Sequence, residues 1–399
     1  MKFNTYSISE LIDEIAMGPF GSNIKVECFV DEGIPVLNGS NLNGFFLTED
    51  SFRYVTEEKA DSLGRANAHR GDIVITHRGT LGQIVCIPET SKYDRYVISQ
   101  SQFRVKCNEK VLPEYLVYYF HTAIGQHKLL SNASQVGVPA LARASTTFQK
   151  IEVEIPDIKT QQKAVSVLNA IEAKINVNRS INENLEQQAQ AIFANEFLSL
   201  ESLPDGWKRG SLIDIADYLN GLAMQKYRPD ADEVGIPVLK IKELRQGCCD
   251  ATSELCSPNI KTNYIIHDGD VIFSWSGSLL VDFWCGGTCG LNQHLFKVTS
   301  SEYDKWFYYA WTKHHLERFI AVAADKATTM GHIKRDELSK AEVLIPNEAD
   351  YNRIGSLLHP IYDLIITNRI ESKKLAETRD TLLPKLMSGE IDISEVDYE

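Results

Sequence analysis

Apolar residues recur at spacings of three and four along two long stretches of the chain, a pattern typical of the seam of a coiled coil. The first stripe consists of Val165, Leu168, Ile171, Ile175, Asn178, Ile181, Leu185, Gln188 and Ile192. The second consists of Ile354, Leu358, Ile361, Ile365, Asn368, Leu375 and Leu382. The pattern predicts two long helices whose stripes bury each other, most simply as an antiparallel pair. Pro360 lies inside the second pattern and predicts a kink or a late helix start there.

The rest of the chain contains short apolar runs rich in β-branched residues, such as 73–76 and 84–87, which Gly and Pro interrupt. A boundary at 203–207 precedes a second segment with the same order of signals. These patterns predict a mixed α/β (α+β) fold with two similar globular domains separated by two long antiparallel coiled-coil helices. The predicted parts are a first globular domain at 1–155, a helical region at 156–201, a second globular domain at 202–346, and a second helical region with an acidic C-terminal tail at 347–399.

The two halves of the chain repeat each other. The helical regions match at a constant offset of 190 residues, from Ile155 and Ile345 to Asn178 and Asn368, whereas the globular segments match at offsets of 202 and then 198. Insertions and deletions therefore fall in the globular parts and not in the helices. The repeat predicts a pseudo-two-fold symmetric molecule in which helix length matters for function.

Asn178 and Asn368 occupy equivalent positions in the two seams. A buried amide costs stability unless it finds a hydrogen-bonding partner, and a polar seam residue can fix helix register. We therefore consider two interpretations, a register-fixing pair and two partly solvated amides at the edge of the seam.

Composition limits the classes of function. The formal net charge of −13 argues against a protein that simply coats nucleic acid, because phosphate binding depends on Lys and Arg. Basic residues are nevertheless concentrated in 65–106, which would allow a basic face on an acidic protein. No apolar segment resembles a signal peptide or a membrane span, so we expect a cytoplasmic protein without membrane association. The eight cysteines form no C-x2-C pair, and we predict no metal site.

Three segments carry a family resemblance: 161–163, 176–185 and, above all, 382–391 with the sequence Leu-Leu-Pro-Lys-Leu-Met-Ser-Gly-Glu-Ile. They resemble the conserved helical regions of the specificity (HsdS-like) subunit of type I restriction-modification systems. The resemblance covers the whole chain in the order target-recognition domain, helix, target-recognition domain, helix. It implies that each globular domain recognises one half of a split double-stranded DNA target. It also implies that the helices hold the halves apart and carry two modification (methyltransferase) subunits, which restriction (motor-nuclease) subunits can join.

The family's chemistry resides in those partners, which methylate adenine N6 with S-adenosylmethionine or translocate and cut DNA with ATP and magnesium. The residues agree, since the chain contains neither a G-x-x-x-x-G-K-[ST] phosphate loop nor the N-P-P-Y or D-P-P-Y motif that holds a flipped adenine. We therefore predict no catalytic residue, no metal ligand and no cofactor bound by this chain. Asp50 with 57–59 has a faint likeness to a nuclease motif, but an acidic helix start explains it better.

Bases are recognised by Arg, Lys, Asn and Gln side chains on loops that can enter a groove, with Ser, Thr and His as further donors. The candidates in the first domain form the turn after an apolar strand and two later loops, and they are His77, Arg78, Thr80, Gln100, Gln102, Gln135 and Arg143. The candidates in the second domain are Ser274, Ser276, Asn292, Gln293, Lys326, His332, Lys334 and Arg335. Because the second turn lacks an arginine, two domains with one scaffold would recognise different half-sites. Trp275 in that turn is interpreted as a packing residue.

Two other functions stay open at this point. One is an enzyme with unrecognised nuclease or methyltransferase motifs, and the other is a coiled-coil interaction scaffold that does not bind DNA. The chain leaves the second helix at Gly389, which is typical of helix ends. We predict that the acidic tail beyond it returns to pack near the first domain.

Overall fold

The computed structural model describes residues 2–134, 137–325 and 335–395. The chain divides into two units, 1–172 with 377–399 and 173–376, so the first unit contains both ends of the chain.

The strands of the first unit are β1 (Phe3–Ser7), β2 (Ile12–Met17), β3 (Phe29–Val30), β4 (Ile34–Val36), β5 (Arg53–Val55), β6 (Asn67–His69), β7 (Ile73–Thr76), β8 (Ile84–Cys86), β9 (Arg95–Val97), β10 (Gln102–Cys107), β11 (Ala133–Ser134), β12 (Ala140–Leu141) and β13 (Glu152–Pro156). Its helices are α1 (Glu57–Ser62), α2 (Pro113–His121), α3 (Ala123–Leu130), α4 (Ala144–Gln149) and the start of α5 (Ile158–Phe193). Short 3-10 helices cover Ile8–Glu10, Gly21–Asn23, Val26–Cys28, Gly39–Leu42 and Gly64–Ala66.

Two sheets organise the first unit, one with the strand order β2-β10-β7-β8 and one with the order β3-β5-β4-β9-β6. Strand β7 is buried on both faces, which explains its unbroken apolar run. Ile73 and Ile75 belong to a core cluster that includes Phe120 of α2, whereas Val74 belongs to a second cluster with Tyr96 of β9. The turn that follows β7 is therefore held by a strand packed from two sides.

The strands of the second unit are β14 (Lys208–Ser211), β15 (Asp217–Asn220), β16 (Ile236–Leu239), β17 (Leu255–Cys256), β18 (Ile265–Ile266), β19 (Val271–Ser274), β20 (Leu280–Phe283), β21 (Cys289–Leu291), β22 (Leu295–Thr299) and β23 (Glu342–Ile345). Its helices are α6 (Leu212–Ile215), α7 (Ile241–Gln246), α8 (Lys305–His314), α9 (Leu316–Asp325), α10 (Arg335–Ser339) and most of α11 (Glu348–Ser388), together with the end of α5 and a π-helical turn at Ala194–Leu198. Short 3-10 helices cover Met224–Lys226 and Thr262–Tyr264.

The second unit repeats the topology of the first. Its sheet β15-β22-β19-β20 corresponds strand by strand to β2-β10-β7-β8, and its sheet β17-β16-β21-β18 corresponds to β5-β4-β9-β6. The pair β14-β23 likewise corresponds to β1-β13. The predicted mixed α/β class with two similar globular parts and two long helices is confirmed.

The two long helices run antiparallel within each unit. In the second unit Arg353 of α11 pairs with Glu196 just beyond α5, and Lys174 near the other end pairs with Glu371. In the first unit Arg379 of α11 pairs with Glu172 of α5. The late start predicted from Pro360 is wrong, because α11 begins at Glu348 and continues through the proline.

Part of the predicted seam of α5 is also wrong. Ile181 is 40% exposed and Gln188 is exposed, whereas Asn182 and Ala189 are buried in their place. The buried stripe therefore steps by four residues from Asn178 to Asn182, where the apolar pattern alone indicated a step of three. This shift leaves an isoleucine on the outer surface of the helix.

The described part of the C-terminal tail, 390–395, packs in the first unit, as predicted. Gly389 adopts a φ of 78° directly after the end of α11, a conformation that favours glycine. Ile393 is buried in the core cluster of the first unit, and the Lys163 Nζ donates a hydrogen bond to the Ser394 carbonyl oxygen at 2.7 Å.

None of the helices in the described part of the chain combines the length and the apolar character that a membrane span requires.

Candidate nucleic-acid interface

The turn after β7 presents an exposed arginine on a fixed backbone. Arg78 forms a β-bridge with Ala140, and Gly79 adopts a φ of 96° while its N–H donates to the Pro139 carbonyl oxygen at 2.9 Å. The Arg78 side chain is exposed and has no ion-pair partner within the described residues. Thr80 is exposed beside it. The turn can therefore offer a free guanidinium to an anionic or base-edge partner.

His77 connects this turn to Gln100. Its Nε2 donates to the Gln100 carbonyl oxygen at 3.1 Å, since a carbonyl oxygen can only accept. Burial lowers the pKa of His77, so the ring is neutral near pH 7. The Gln100 side chain is exposed. The structure thus brings three predicted residues, His77, Arg78 and Gln100, to one edge of the first unit.

Gln102 does not belong to this group, contrary to the prediction. Its side chain is 1% exposed, and its Oε1 accepts a hydrogen bond from the Ser99 N–H at 2.8 Å. The amide is used to shape the loop, so it cannot meet a base edge. The alternating Ser-Gln-Ser-Gln sequence gives no sign of which glutamine points inward.

The loop that contains Arg143 lies beside the same turn. Leu141 donates its N–H to the His77 carbonyl oxygen at 2.9 Å, which joins the two segments. Arg143 is exposed and has a φ of 47°, in the left-handed region, immediately before α4. Gln135 lies outside the described residues.

The corresponding turn of the second unit is built differently. Ser274 and Ser276 are 0% and 2% exposed, and Ser274 Oγ donates to the Ser278 carbonyl oxygen at 2.8 Å. Asn292 is also buried, and its Oδ1 accepts from the His294 N–H at 3.2 Å. Each of these three side chains is buried in the loop it shapes, so the structure does not place them for the predicted contact with DNA.

Two further residues, one in this turn and one in the loop between β21 and β22, are partly buried. Trp275 Nε1 donates to Asn220 Oδ1 at 3.0 Å, and its ring packs against Phe296, which agrees with the packing interpretation. Gln293 is half-buried beside His294, with a distance of 3.5 Å between their Nε2 atoms. Neither residue presents a free polar edge comparable to that of Arg78.

An arginine that the sequence prediction missed stands next to this turn. Arg245, on α7, is exposed, and its Nη1 donates to Ser278 Oγ at 3.4 Å. The second unit therefore has an arginine at its turn, supplied by a different element from the one that carries Arg78. The separation of 33 residues between Arg245 and Ser278 gives no local signal of this contact.

The remaining candidates of the second unit lie at the break in the described chain. Arg335 is exposed as the first residue of α10. Lys326, His332 and Lys334 lie outside the described residues.

The basic segment 65–106 is largely neutralised within the first unit. Arg65, Arg70 and Arg95 form ion pairs with carboxylates, and Arg104 is buried between Glu14 and Asp72. Burial raises the pKa of Asp72 even though Arg104 lies 3.2 Å away, because desolvation outweighs the attraction. Within the described residues, Arg78 is therefore among the few cations of this segment that stay free to meet an anionic partner.

The two predicted register residues lie in a buried polar layer of the second unit. Asn178 and Asn368 are 1% and 7% exposed, so the alternative of partly solvated amides is wrong. Asn178 Nδ2 donates to Glu371 Oε2 at 2.8 Å and to Ser372 Oγ at 3.2 Å. Their role in fixing register stays a prediction.

Within the described ranges, no group of three or more His, Cys, Asp or Glu side chains is arranged to hold a metal ion.

A model of a known protein family matches both halves of the chain. The family model of the type I restriction modification DNA specificity domain matches residues 19–187 and again residues 204–377. The chain belongs to this family. The two matches correspond to the two copies of the repeat, so each half of the chain is one specificity domain.

Two curated relatives carry matching names. The chain is similar to the type I restriction enzyme MjaIX specificity subunit of Methanocaldococcus jannaschii, with 25% identity over 96% of this chain and 93% of the relative. It is also similar to the type I restriction enzyme HindI specificity subunit of Haemophilus influenzae, with 20% identity over 75% of this chain and 82% of the relative.

One solved structure shares the fold. The S subunit of a type I restriction-modification system from M. genitalium superposes with a TM-score of 0.58 at 13% identity, covering 96% of both chains. At this identity the similarity establishes the fold alone.

Proposed function

We propose that this chain is the DNA sequence-specificity subunit of a type I restriction-modification system, acting in the cytoplasm. Each specificity domain would contact one half of a bipartite double-stranded target, and the long helices would set the spacing between the halves. The observation that carries the proposal is the unequal chemistry of two equivalent turns. The first carries His77 and Arg78, whereas the second carries Trp275 and a buried Ser276 with Arg245 from α7. Two domains with the same fold but different side chains at the equivalent turn are expected to bind two half-sites of different sequence.

Partner binding is proposed for the outer surface of α5. Val177 and Ile181 are 52% and 40% exposed, and they line a shallow groove with Ser180 and Leu185. A contiguous apolar surface on a helix marks an interaction site more often than isolated exposed residues do. We assign this groove to a modification subunit. On this proposal two such subunits bind the chain, and restriction subunits join through them.

The reactions would take place in these partners. The modification subunits would bind S-adenosylmethionine and methylate adenine N6, and the restriction subunits would use ATP and magnesium. This chain would bind no cofactor and would not itself be an enzyme. Its contribution would be to place the partners at a chosen DNA sequence.

The test is to express the chain with the methyltransferase encoded beside its gene and to sequence the modified bases of the host DNA. The proposal predicts adenine methylation in one bipartite motif, and its loss when this chain is omitted. Methylation by the chain alone would instead support an enzyme. Assembly with the partner but no specific binding or methylation of DNA would support an interaction scaffold.

A further inference from the structure

The first unit contains a cavity that the recognition turn does not explain. It has a volume of about 440 Å3 and is open to solvent. Its walls combine apolar and polar side chains, among them Phe20, Phe29, Val36, Asn38, Arg53 and Gln100. A volume of this size is within the range of small-ligand sites, and the mixture of an apolar floor with a few polar groups is typical of them.

The internal repeat provides a built-in comparison for this cavity. Gly18 donates its N–H to the Gln102 carbonyl oxygen at 2.8 Å, and Gly221 donates to that of Leu295 at 3.0 Å, so the two glycines are equivalent. Counting three residues onward from each glycine, Gly21 of the first unit corresponds to Met224 of the second.

Met224 fills the equivalent position in the second unit. Its side chain is 1% exposed and packs with Val238, Cys256 and Ile260. Val238 is the counterpart of Val36, which lines the cavity of the first unit. The same scaffold is therefore closed by a methionine in one copy and left open by a glycine in the other.

The rim of the cavity differs in charge between the copies. Arg53 lies over the Phe29 ring, 5.2 Å from its centroid, and forms no ion pair within the described part of the chain. The equivalent position in the second unit is Glu254, which pairs with Lys240 at 2.7 Å. At this position the open copy thus has a cation without an ion pair among the described residues, whereas the closed copy has a paired carboxylate, and the cation would attract a phosphate-bearing ligand.

Phe20 stands at the entrance and is 84% exposed. A phenylalanine this exposed has a free ring face on which a flat group can stack. Asn38 is exposed as well, and its Oδ1 accepts from the Ser40 N–H at 2.8 Å, which directs the amide. Aromatic stacking combined with amide edges is the means by which proteins hold an unstacked base.

The cavity adjoins the proposed reading edge. Gln100 lines it with its side chain and accepts the hydrogen bond from His77 with its carbonyl oxygen. A ligand in the cavity would therefore lie next to the turn that carries Arg78.

We propose that this cavity binds one nucleobase unstacked from the DNA beside the half-site of the first unit. Phe20 stacks on the base, Asn38 and Gln100 meet its edge, and Arg53 neutralises the adjacent phosphate. The inference rests on the proposed function, because it takes the ligand from the bound DNA. On this proposal the first unit distorts the DNA of its half-site when it binds. The second unit, whose equivalent cavity is filled, recognises an undistorted duplex.

The experiment uses the complex of this chain with its methyltransferase and a duplex containing the motif identified by sequencing. The probe is 2-aminopurine, which fluoresces more strongly when unstacked, placed singly at each position of the first half-site and its flanks. The methylated adenines are left out, because the methyltransferase itself flips them. We expect a several-fold rise in fluorescence at one position upon binding.

Two variants assign that signal to the cavity. Gly21→Met introduces the residue that fills this position in the second unit. The added Cβ would lie 2.2 Å from Gln100 Oε1, and this flexible side chain can move aside. Phe20→Ala removes the stacking surface and should weaken the Kd for the duplex roughly tenfold or more. Both should abolish the rise. Ile124→Ala, an exposed isoleucine on α3, serves as the matched control and should leave it unchanged.

The outcomes separate the two proposals. Normal binding and methylation without a rise at any tested position would overturn the base-binding cavity and leave the proposed function intact. A rise that survives in both variants would also overturn it. Loss of all specific binding by the unmodified complex would overturn the proposed function, and the cavity assignment with it.

Discussion

Asn368 donates a side-chain N–H to Asn182 Oδ1 at 2.9 Å, across the buried seam between α11 and α5 in the second unit. Asn182 in turn donates to the Ile365 carbonyl oxygen at 3.1 Å. The amide pair completes a buried polar layer between the apolar residues of this seam. A displacement of either helix by one turn would leave these groups unpaired, which is how such a layer can define register.

Asn368→Leu should lower the free energy of unfolding by about 1–3 kcal/mol, because Asn182 loses its donor in a buried site. Asn178→Leu should cost less. Asn178 Oδ1 is itself buried without a partner among the described residues, and Ser372 Oγ also donates to the Asn368 carbonyl oxygen. Denaturant unfolding of both variants checks this order, with exposed Asn184→Leu as the control. Equal losses in the two seam variants would contradict it.

The double variant with leucine at 178 and 368 tests the register interpretation itself. Both helices would retain an apolar seam but lose the polar layer, so alternative alignments should become accessible. We expect altered partner assembly or an altered spacing between the methylated half-sites. Unchanged assembly together with an unchanged spacer length would refute a role in register.

Arg78→Ala should weaken discrimination in one half-site only, by about 1–3 kcal/mol per base pair contacted. Arg245→Ala should do the same in the other half-site, because each arginine belongs to a different recognition turn. Methylation of a library with randomised half-sites measures both effects. Equal losses at both halves from either substitution would contradict the assignment of one turn to each half.

Val177→Asp combined with Ile181→Asp should abolish assembly with the modification subunit while this chain stays folded. Two carboxylates on an exposed groove cost little in the free chain but cannot be buried unpaired in an interface. Co-purification and thermal melting measure the two properties. Ile124→Asp, another exposed isoleucine exchanged for a carboxylate, should preserve assembly, and full assembly of the double variant would exclude this groove.

The unfolding free energy should fall in mild acid because of His315. Burial lowers the pKa of His315 to about 4, and its Nε2 donates to the Glu342 carbonyl oxygen at 2.8 Å. In the unfolded chain this histidine binds a proton from about pH 6.5 downwards, whereas in the folded chain it stays neutral until about pH 4. The contribution of His315 to the free energy of unfolding is therefore complete above pH 6.5 and is lost as the pH falls from 6.5 to 4. The loss should amount to about 3 kcal/mol.

His315→Gln keeps a donor for Glu342 without a titrating ring. Denaturant unfolding near pH 7 and near pH 4.5 should therefore show a smaller acid loss in this variant than in the unmodified chain. The same loss in both proteins would mean that other groups cause the acid sensitivity.

The sequence predicted the architecture because apolar spacing and internal repetition depend on many residues together. The predictions failed at positions where the burial or the hydrogen bonds of a single side chain decide its role. Asn182 is buried and Ile181 is exposed, since the polar layer sets the helix face locally. Gln102 and Ser274 carry hydrogen-bonding groups that could meet a base edge, but those groups are used inside their own turns. No local pattern could have placed Arg245 beside Ser278, because only the tertiary fold joins α7 to that turn.

The first unit is assembled from both ends of the chain, since 377–399 belongs to it and contributes Leu383, Leu386 and Ile393 to its core. During synthesis residues 383–393 must therefore emerge from the ribosome before this core can be completed, whereas the contiguous second unit has all of its residues earlier. The recognition domain made first is thus the one that should finish folding last. A chain that stops before Leu383 would carry an unfinished first domain attached to a complete second one.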